Sequence, residues 1–412
     1  MDKKTAKALE KQAEEEKEKQ SPLPNLSEIA KNNPDTSPAE CKDVLLMRMV
    51  TWLRDSHALF DYESRQIQKK NIKVDHSCKI IRQKDEVNTV GSTYKPESDD
   101  EATHLFSIIK DDKGDYFIDT EKVHATEKLW LVVRAMKNDS KKLSYELRKG
   151  DIIKLGRIQF RVKDLQTPTI PKNDPKVVEP NEDIADVRAA LYENEDANED
   201  DDNSSGIQCR FCWGSLCTAE NPLINICNCT GTVRYIHLQC LKRWVKSKVK
   251  PIQNEKMREC LESFIWKTFE CEVCKIRYSS TLRHNDKFFN IFDLDVPDGS
   301  FCILESISMQ KNSSKMIYVM KPNAPSMNFN VGRGGDSDIR ISDISVSRLH
   351  AKIKFEDGKF MLEDNTSKFG TLVQIKDKIA ITKNHTSAVQ SGRTVVTYHR
   401  WAKDFPPRLP EK

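Results

Sequence analysis

Apolar residues recur at helical spacing in "DVLLMRMVTWLRDSHALF" (43–60), where Leu45, Leu46, Val50, Leu53 and Phe60 would share one face. The pattern predicts an amphipathic helix packing that face into a core. Further on the period changes. "LFSIIKDDKGDYFID" (105–119) sets a Lys-Gly turn between two β-prone runs, so a hairpin is expected. "LWLVVRAM" and "GDIIKLGRIQFRV" are short, apolar and β-branched, as half-buried strands are. Residues 41–166 are therefore expected to form a helix plus a β-rich domain. A second β-rich segment, with alternating runs such as "AKIKF" and "KFMLED", occupies 300–402. Residues 1–40 read as a charged tail running into a Pro/Ser/Asn linker, and 167–206 as a polar linker. Seven of the ten residues from Glu193 to Asp202 are acidic, which keeps that linker extended and suggests that it folds back on the basic segment beyond it.

With 37% hydrophobic and 32% charged residues, a good part of the 412-residue chain is expected to lie outside any core. Its 67 basic and 63 acidic residues nearly balance, unlike the strongly basic domains that bind nucleic acid. No apolar run reaches the ~18 residues of a membrane span, and the charged N-terminus lacks a secretory signal. A cytoplasmic or nuclear protein with reduced thiols is expected.

Cysteine spacing changes the picture most. Cys209-x-x-Cys212 is followed by Cys227-x-Cys229, then His237-x-x-Cys240, then Cys271-x-x-Cys274. Closely spaced pairs let two thiolates each approach zinc to about 2.3 Å. Eight ligands suffice for two tetrahedral zinc ions and leave neither an open position for water, so structural zinc is expected. Disulfides conflict with the reducing compartment, and a redox centre would need only one Cys-x-x-Cys.

The segment 207–280, with "CRFC", "PLI", "CNCTGTVRYIHLQCLKRWVKS" and "CEVCK", resembles a RING-CH (RING-variant) finger. A PHD finger shares the ligand order. The single Asn228 within the second pair, the seven residues before His237 and Trp244 after Cys240 favour RING-CH. The resemblance implies cross-bracing, with Cys209, Cys212, His237 and Cys240 on one zinc and Cys227, Cys229, Cys271 and Cys274 on the other. It also implies that Phe211, Trp244 and Lys275 contact a ubiquitin-conjugating enzyme and ubiquitin. Cys217 and Cys260 fall outside the pattern, Cys260 in a long insert where it is the one candidate substitute ligand.

Farther along, Gly332-Arg333, Ser347-Arg348-Leu349-His350 and "TSKFGT" lie among short strands and turns. These residues resemble a forkhead-associated (FHA) domain, a β-sandwich that binds phosphothreonine through the loops at one end. The resemblance implies that Arg333 and Ser347 hold the phosphate with Arg348 and Lys368 in support, while His350 braces the loops. Phe369 stands where many members carry an Asn that bonds the peptide backbone. "YELRKGDIIKLGRIQFRV" (145–162) is similar to the closing strands of such a domain, so 104–165 reads as a second, degenerate copy.

The expected protein is multidomain and mixed: a small α+β two-zinc finger, an all-β FHA sandwich and a further N-terminal β-rich domain. Its expected function is that of a soluble RING-type E3 ubiquitin ligase, an enzyme without a nucleophile of its own. The alternative is a non-enzymatic, phospho-dependent adaptor. Expected partners are a ubiquitin-conjugating enzyme, ubiquitin and a phosphothreonine-containing protein, with no nucleic acid or membrane.

Overall fold

The computed structural model describes residues 44–54, 58–94, 102–120, 128–138, 141–142, 144–168, 184–189, 207–252, 259–266, 269–284, 287–292, 298–307 and 314–401. The charged tail and the acidic run from Glu193 to Asp202 lie outside them. Strands dominate, and Leu238–Lys248 is the only α-helix among the described residues.

The helix expected over 43–60 is instead a strand, Val44–Trp52, paired antiparallel with both Ile67–Val74 and Thr394–Trp401. Its residues are buried on both faces: Leu45, Met47 and Met49 on one, Val50 and Trp52 on the other. A strand buried on both faces loses the apolar–polar alternation that would identify it. Leu53, assigned to the helical face, lies beyond the strand and is 47% exposed.

Pairing partners then reveal an exchange. The hairpin Ile152–Leu155 and Ile158–Gln166 does not close the N-terminal segment that precedes it. It pairs instead with Phe301–Ile307 and Thr371–Gln374 of the C-terminal segment. Reciprocally, the hairpin His385–Ser391 and Thr394–Trp401 pairs with Leu129–Val132 and Val44–Trp52. Tyr145–Glu146 and Ile379–Ile381 are traded in the same way, onto Lys359–Asp364 and Tyr116–Asp119. Two sandwiches with matching strand order result, each closed by strands from the other half of the chain. Leu129–Val132 and Thr371–Gln374 pair across the junction, which joins one sheet of each sandwich into a continuous sheet.

Segments 41–166 and 300–402 are therefore not self-contained domains. Ile153, Leu155, Phe160, Val162 and Leu165 pack with Phe329, Val331 and Ile353 in the second sandwich. Val389, Val396 and Tyr398 pack with Leu45, Phe106 and Ile108 in the first. A third cluster, including Trp52, Phe60, Trp130, Ile152 and Leu372, spans the two.

The cysteine-rich segment is inserted between the exchanged strands. Ile184–Asp186 pairs with Thr281–His284 and Arg188–Ala189 with Leu223–Asn225, so part of the expected linker belongs to the finger. The insert between Cys240 and Cys271 supplies Leu261–Trp266, which adds to the edge of the second sandwich beside Lys315–Met320. Cys260 is buried there with Leu261 and Met320, in the sandwich core and apart from the metal ligands.

Candidate metal centre and anion-binding loops

Folding brings the eight expected ligands into two groups: Cys209, Cys212, His237 and Cys240, and Cys227, Cys229, Cys271 and Cys274. Within each, the ligand atoms lie within 4.8 Å of one another. A zinc tetrahedron with bonds of about 2.3 Å has edges of roughly 3.8 Å. Cys229 and Cys271 Sγ stand 3.5 Å apart, and His237 Nδ1 lies 3.2 Å from Cys212 Sγ and 3.9 Å from Cys240 Sγ. His237 Nε2 is 2.7 Å from the Leu216 carbonyl. Donation of Nε2–H there fixes the tautomer and leaves Nδ1 as the ligand.

Backbone N–H groups favour the thiolate at Cys209 and Cys271, while burial raises Cys227, Cys229 and Cys240. The N–H groups of Phe211 and His237 donate to Cys209 Sγ, each at 3.4 Å. Burial raises the Cys271 thiol, but N–H groups of Cys274 and Val273 together with side-chain bonds from Tyr278 and Cys229 bring it down to about 5. The donor set therefore suits two zinc ions, both fully ligated by protein.

Of the three residues expected to meet a conjugating enzyme, Phe211 lies in the Cys209–Cys212 knuckle, Trp244 on the helix Leu238–Lys248 and Lys275 just after Cys274. Phe211 stacks on Trp244 with ring centroids 6.1 Å apart, and Trp244 meets Phe269 and Tyr278 edge-on. Trp244 Nε1 donates to Glu272. Lys275 has a positive φ of 60° and its ammonium donates to the Glu272 carbonyl. Two more apolar side chains project from the knuckles: Trp213, 73% exposed, and Val273, 61% exposed. Sequence reasoning passed over both, although each adjoins a ligand in a finger too small to bury them.

At the loop end of the second sandwich, Gly332 passes so close to the Arg348 carbonyl that a Cβ would meet it at 2.2 Å. Arg333 N–H donates to the Ser347 carbonyl, Gly334 N–H to that of Arg348, and Lys368 N–H to Ser347 Oγ. These bonds gather Arg333, Ser347, Arg348 and Lys368, whose three cationic side chains are exposed. The exchanged hairpin reaches the same loops. Arg157 N–H donates to Ser345 Oγ, its guanidinium meets Asp343, and Gly156 abuts Ser345 with no room for a Cβ.

Phe369 packs with Phe60, Tyr62 and Trp130 in the cluster between sandwiches. Tyr62 N–H donates to the Lys368 carbonyl, and Asp61 lies 3.4 Å from the Lys368 ammonium. The position that many FHA domains give to an Asn is here committed to joining the two sandwiches.

His350 is fully buried; its Nδ1 accepts from Ser347 N–H at 3.0 Å and Nε2 lies 3.1 Å from the Gly370 carbonyl. Burial lowers its pKa below the ordinary 6.5. Because the folded value is depressed, its contribution is complete above about pH 6.5 and lost as pH falls through the folded value. Thermal unfolding should thus lose about 1.4 kcal/mol per pH unit within that window. His350→Asn should show a flatter pH profile as pH falls below about 6.5; equal slopes would remove His350 as the cause.

Residues 209–274 match the RING-variant domain and residues 329–394 the FHA domain. The chain carries both. Among curated relatives, E3 ubiquitin-protein ligase MARCHF7 of Mus musculus is 28% identical over 136 residues, 33% of this chain and 17% of the relative. ERAD-associated E3 ubiquitin-protein ligase DOA10 of Saccharomyces cerevisiae is 43% identical over 61 residues, 15% of this chain and 4% of the relative. E3 ubiquitin-protein ligase MARCHF1 of Homo sapiens is 49% identical over 41 residues, 10% of this chain and 13% of the relative. The chain thus spans under a fifth of the length of these relatives. Among the described residues, no helix is long and apolar enough to cross a membrane.

Proposed function

We propose that this protein is a RING-type ubiquitin ligase whose finger engages a charged ubiquitin-conjugating enzyme and whose FHA loops recruit a phosphothreonine-containing partner. The carrying observation is the pair of saturated metal groups beside an apolar surface formed by half-buried Phe211 and the exposed Trp213 and Val273. Fully ligated zinc has no position at which to activate water, so its contribution is to shape that surface. Catalysis then consists of holding the ubiquitin thioester in a reactive conformation, which lowers an entropic barrier. The curated relatives, named as ubiquitin ligases, support the same class. Arg333, Arg348 and Lys368 supply cations for a phosphate, with Ser347 beside them. The strand Leu261–Trp266 ties the finger to the sandwich, so captured partner and thioester would be held at a fixed separation.

The adaptor alternative draws on Lys275, whose ammonium is bonded back to its own knuckle. One experiment separates the two. The full-length, zinc-loaded protein is tested for discharge of ubiquitin from a panel of charged conjugating enzymes onto free lysine. Acceleration that falls roughly 10–30-fold in Phe211→Ala, as expected for an interface anchor, with zinc content unchanged, supports the ligase. No acceleration from any enzyme leaves the adaptor. On the recruiting side, Arg333→Ala should weaken binding of a phosphothreonine peptide roughly tenfold or more; equal binding of the unphosphorylated peptide would refute phosphate recognition.

A further inference from the structure

Arg210 lies between Cys209 and Cys212, two ligands of the first centre, yet its guanidinium serves the second. Its Nη1 stands 3.4 Å from Cys271 Sγ, 3.8 Å from Cys227 Sγ and 3.9 Å from Cys229 Sγ. The same nitrogen donates to the Val233 carbonyl at 3.3 Å, and Nη2 donates to the Tyr278 hydroxyl. One side chain therefore reaches three of the four thiolates of a centre to which its own knuckle contributes no ligand.

The two centres differ in charge. Zinc bound by three thiolates and a neutral histidine carries one net negative charge; zinc bound by four thiolates carries two. The guanidinium is placed at the more negative of them. We propose that Arg210 is a positioning residue for the four-cysteine centre, compensating its charge and tying the Phe211 knuckle to it. N–H bonds to sulfur withdraw electron density from the thiolates. They retard protonation or attack of the sulfurs and hence release of the metal. The planar fork suits the task, because it meets sulfurs, carbonyl and phenol together where an ammonium would act as a point charge. Burial of Tyr278 and Phe269 behind the fork limits the water that could take its place. Arg210 Cζ also lies 5.4 Å from the Phe211 ring centroid, so the contact that orders the metal centre also orders the knuckle's apolar side chain.

The inference rests on the fit of the two zinc ions and not on ligase activity. Its test uses the full-length, zinc-loaded protein and a chromogenic chelator that counts metal released. In Arg210→Met one zinc equivalent should leave about 10–100-fold faster, the range seen when a partner of a metal ligand is removed, while the other leaves as in the wild type. Arg210→Lys should fall between. The accompanying readout is the sulfur-to-metal charge-transfer band of the cobalt-substituted protein. It should move to lower energy in both variants, because thiolates relieved of N–H bonds donate more strongly; a loss of packing alone would not shift it. Wild-type release with an unmoved band in both variants overturns the proposal. If Arg210→Met unfolds and sheds both ions together, Arg210→Lys decides. Selective acceleration with a shifted band supports the proposal; wild-type behaviour overturns it.

Discussion

Residues 300–402 produced alone should not fold cooperatively, although they include the whole FHA match at 329–394. The reason is the exchange of closing strands. The fragment lacks Ile152–Leu155 and Ile158–Gln166, which flank Phe301–Ile307 and Thr371–Gln374 in the sheet. With them go Ile153, Leu155, Phe160, Val162 and Leu165, each under 5% exposed. At about 1.5–3 kcal/mol per buried side chain, the loss is about 8–15 kcal/mol, as large as the whole stability of a typical domain, about 5–15 kcal/mol. The fragment also retains a hairpin, 385–401, whose partners Val44–Trp52 and Leu129–Val132 are gone. A permuted chain carrying 298–376 followed by a short linker and 144–168 should fold. The join is feasible because Lys376 already donates to the Gly150 carbonyl. Calorimetry or dispersion of amide resonances distinguishes the two. Cooperative unfolding of 300–402 alone would mean that 385–401 can close its own half, and the exchange would lose its role in stability.

That exchange marks where sequence reasoning stops. Local signals were legible: the Gly114 turn, the alternating strands 351–356 and 359–364, and above all the eight ligands, whose spacing is set by chemistry within a few residues. The similarity of 145–162 to closing strands of an FHA domain was also visible, but which sandwich they close was not. Pairing of Gln166 with Phe301 spans 135 residues, and nothing in either strand names its partner. Val44–Trp52 misled for the same reason, since Val50 and Trp52, on the face that would otherwise have shown polar alternation, are buried against Trp130, Ile152 and Leu372, far along the chain. Phe369 was readable as a departure. Its cause, the cluster it joins with Phe60, Tyr62 and Trp130, needed three dimensions.

Zinc removal should reach beyond the finger. Two four-ligand centres contribute on the order of 10–16 kcal/mol each in apparent binding energy, more than so small a core can replace. Chelation should therefore unfold the finger and abolish the near-ultraviolet signal of Trp244, which is held between Phe211, Phe269 and Tyr278. The finger core does not end at the finger. Phe301, Ile303, Ile317 and Val319 of the second sandwich are buried in the same cluster as Leu241, Val245 and Phe269. Exposing four such side chains costs about 6–12 kcal/mol at full exposure, and less because the released segment still shields part of the sheet. A net loss of about 3–6 kcal/mol corresponds to roughly 10–20 °C in the unfolding temperature of a body of this size. Calorimetry of the full-length protein before and after chelation should show the main transition moving down by that amount. The FHA loops belong to the sandwich that loses its cover, so if they bind a phosphopeptide as proposed, its affinity measured near the new transition should fall with it. A sandwich transition unmoved by chelation would show that the finger rests on the sheet without stabilising it, and the two sites would then be coupled only by the strand Leu261–Trp266.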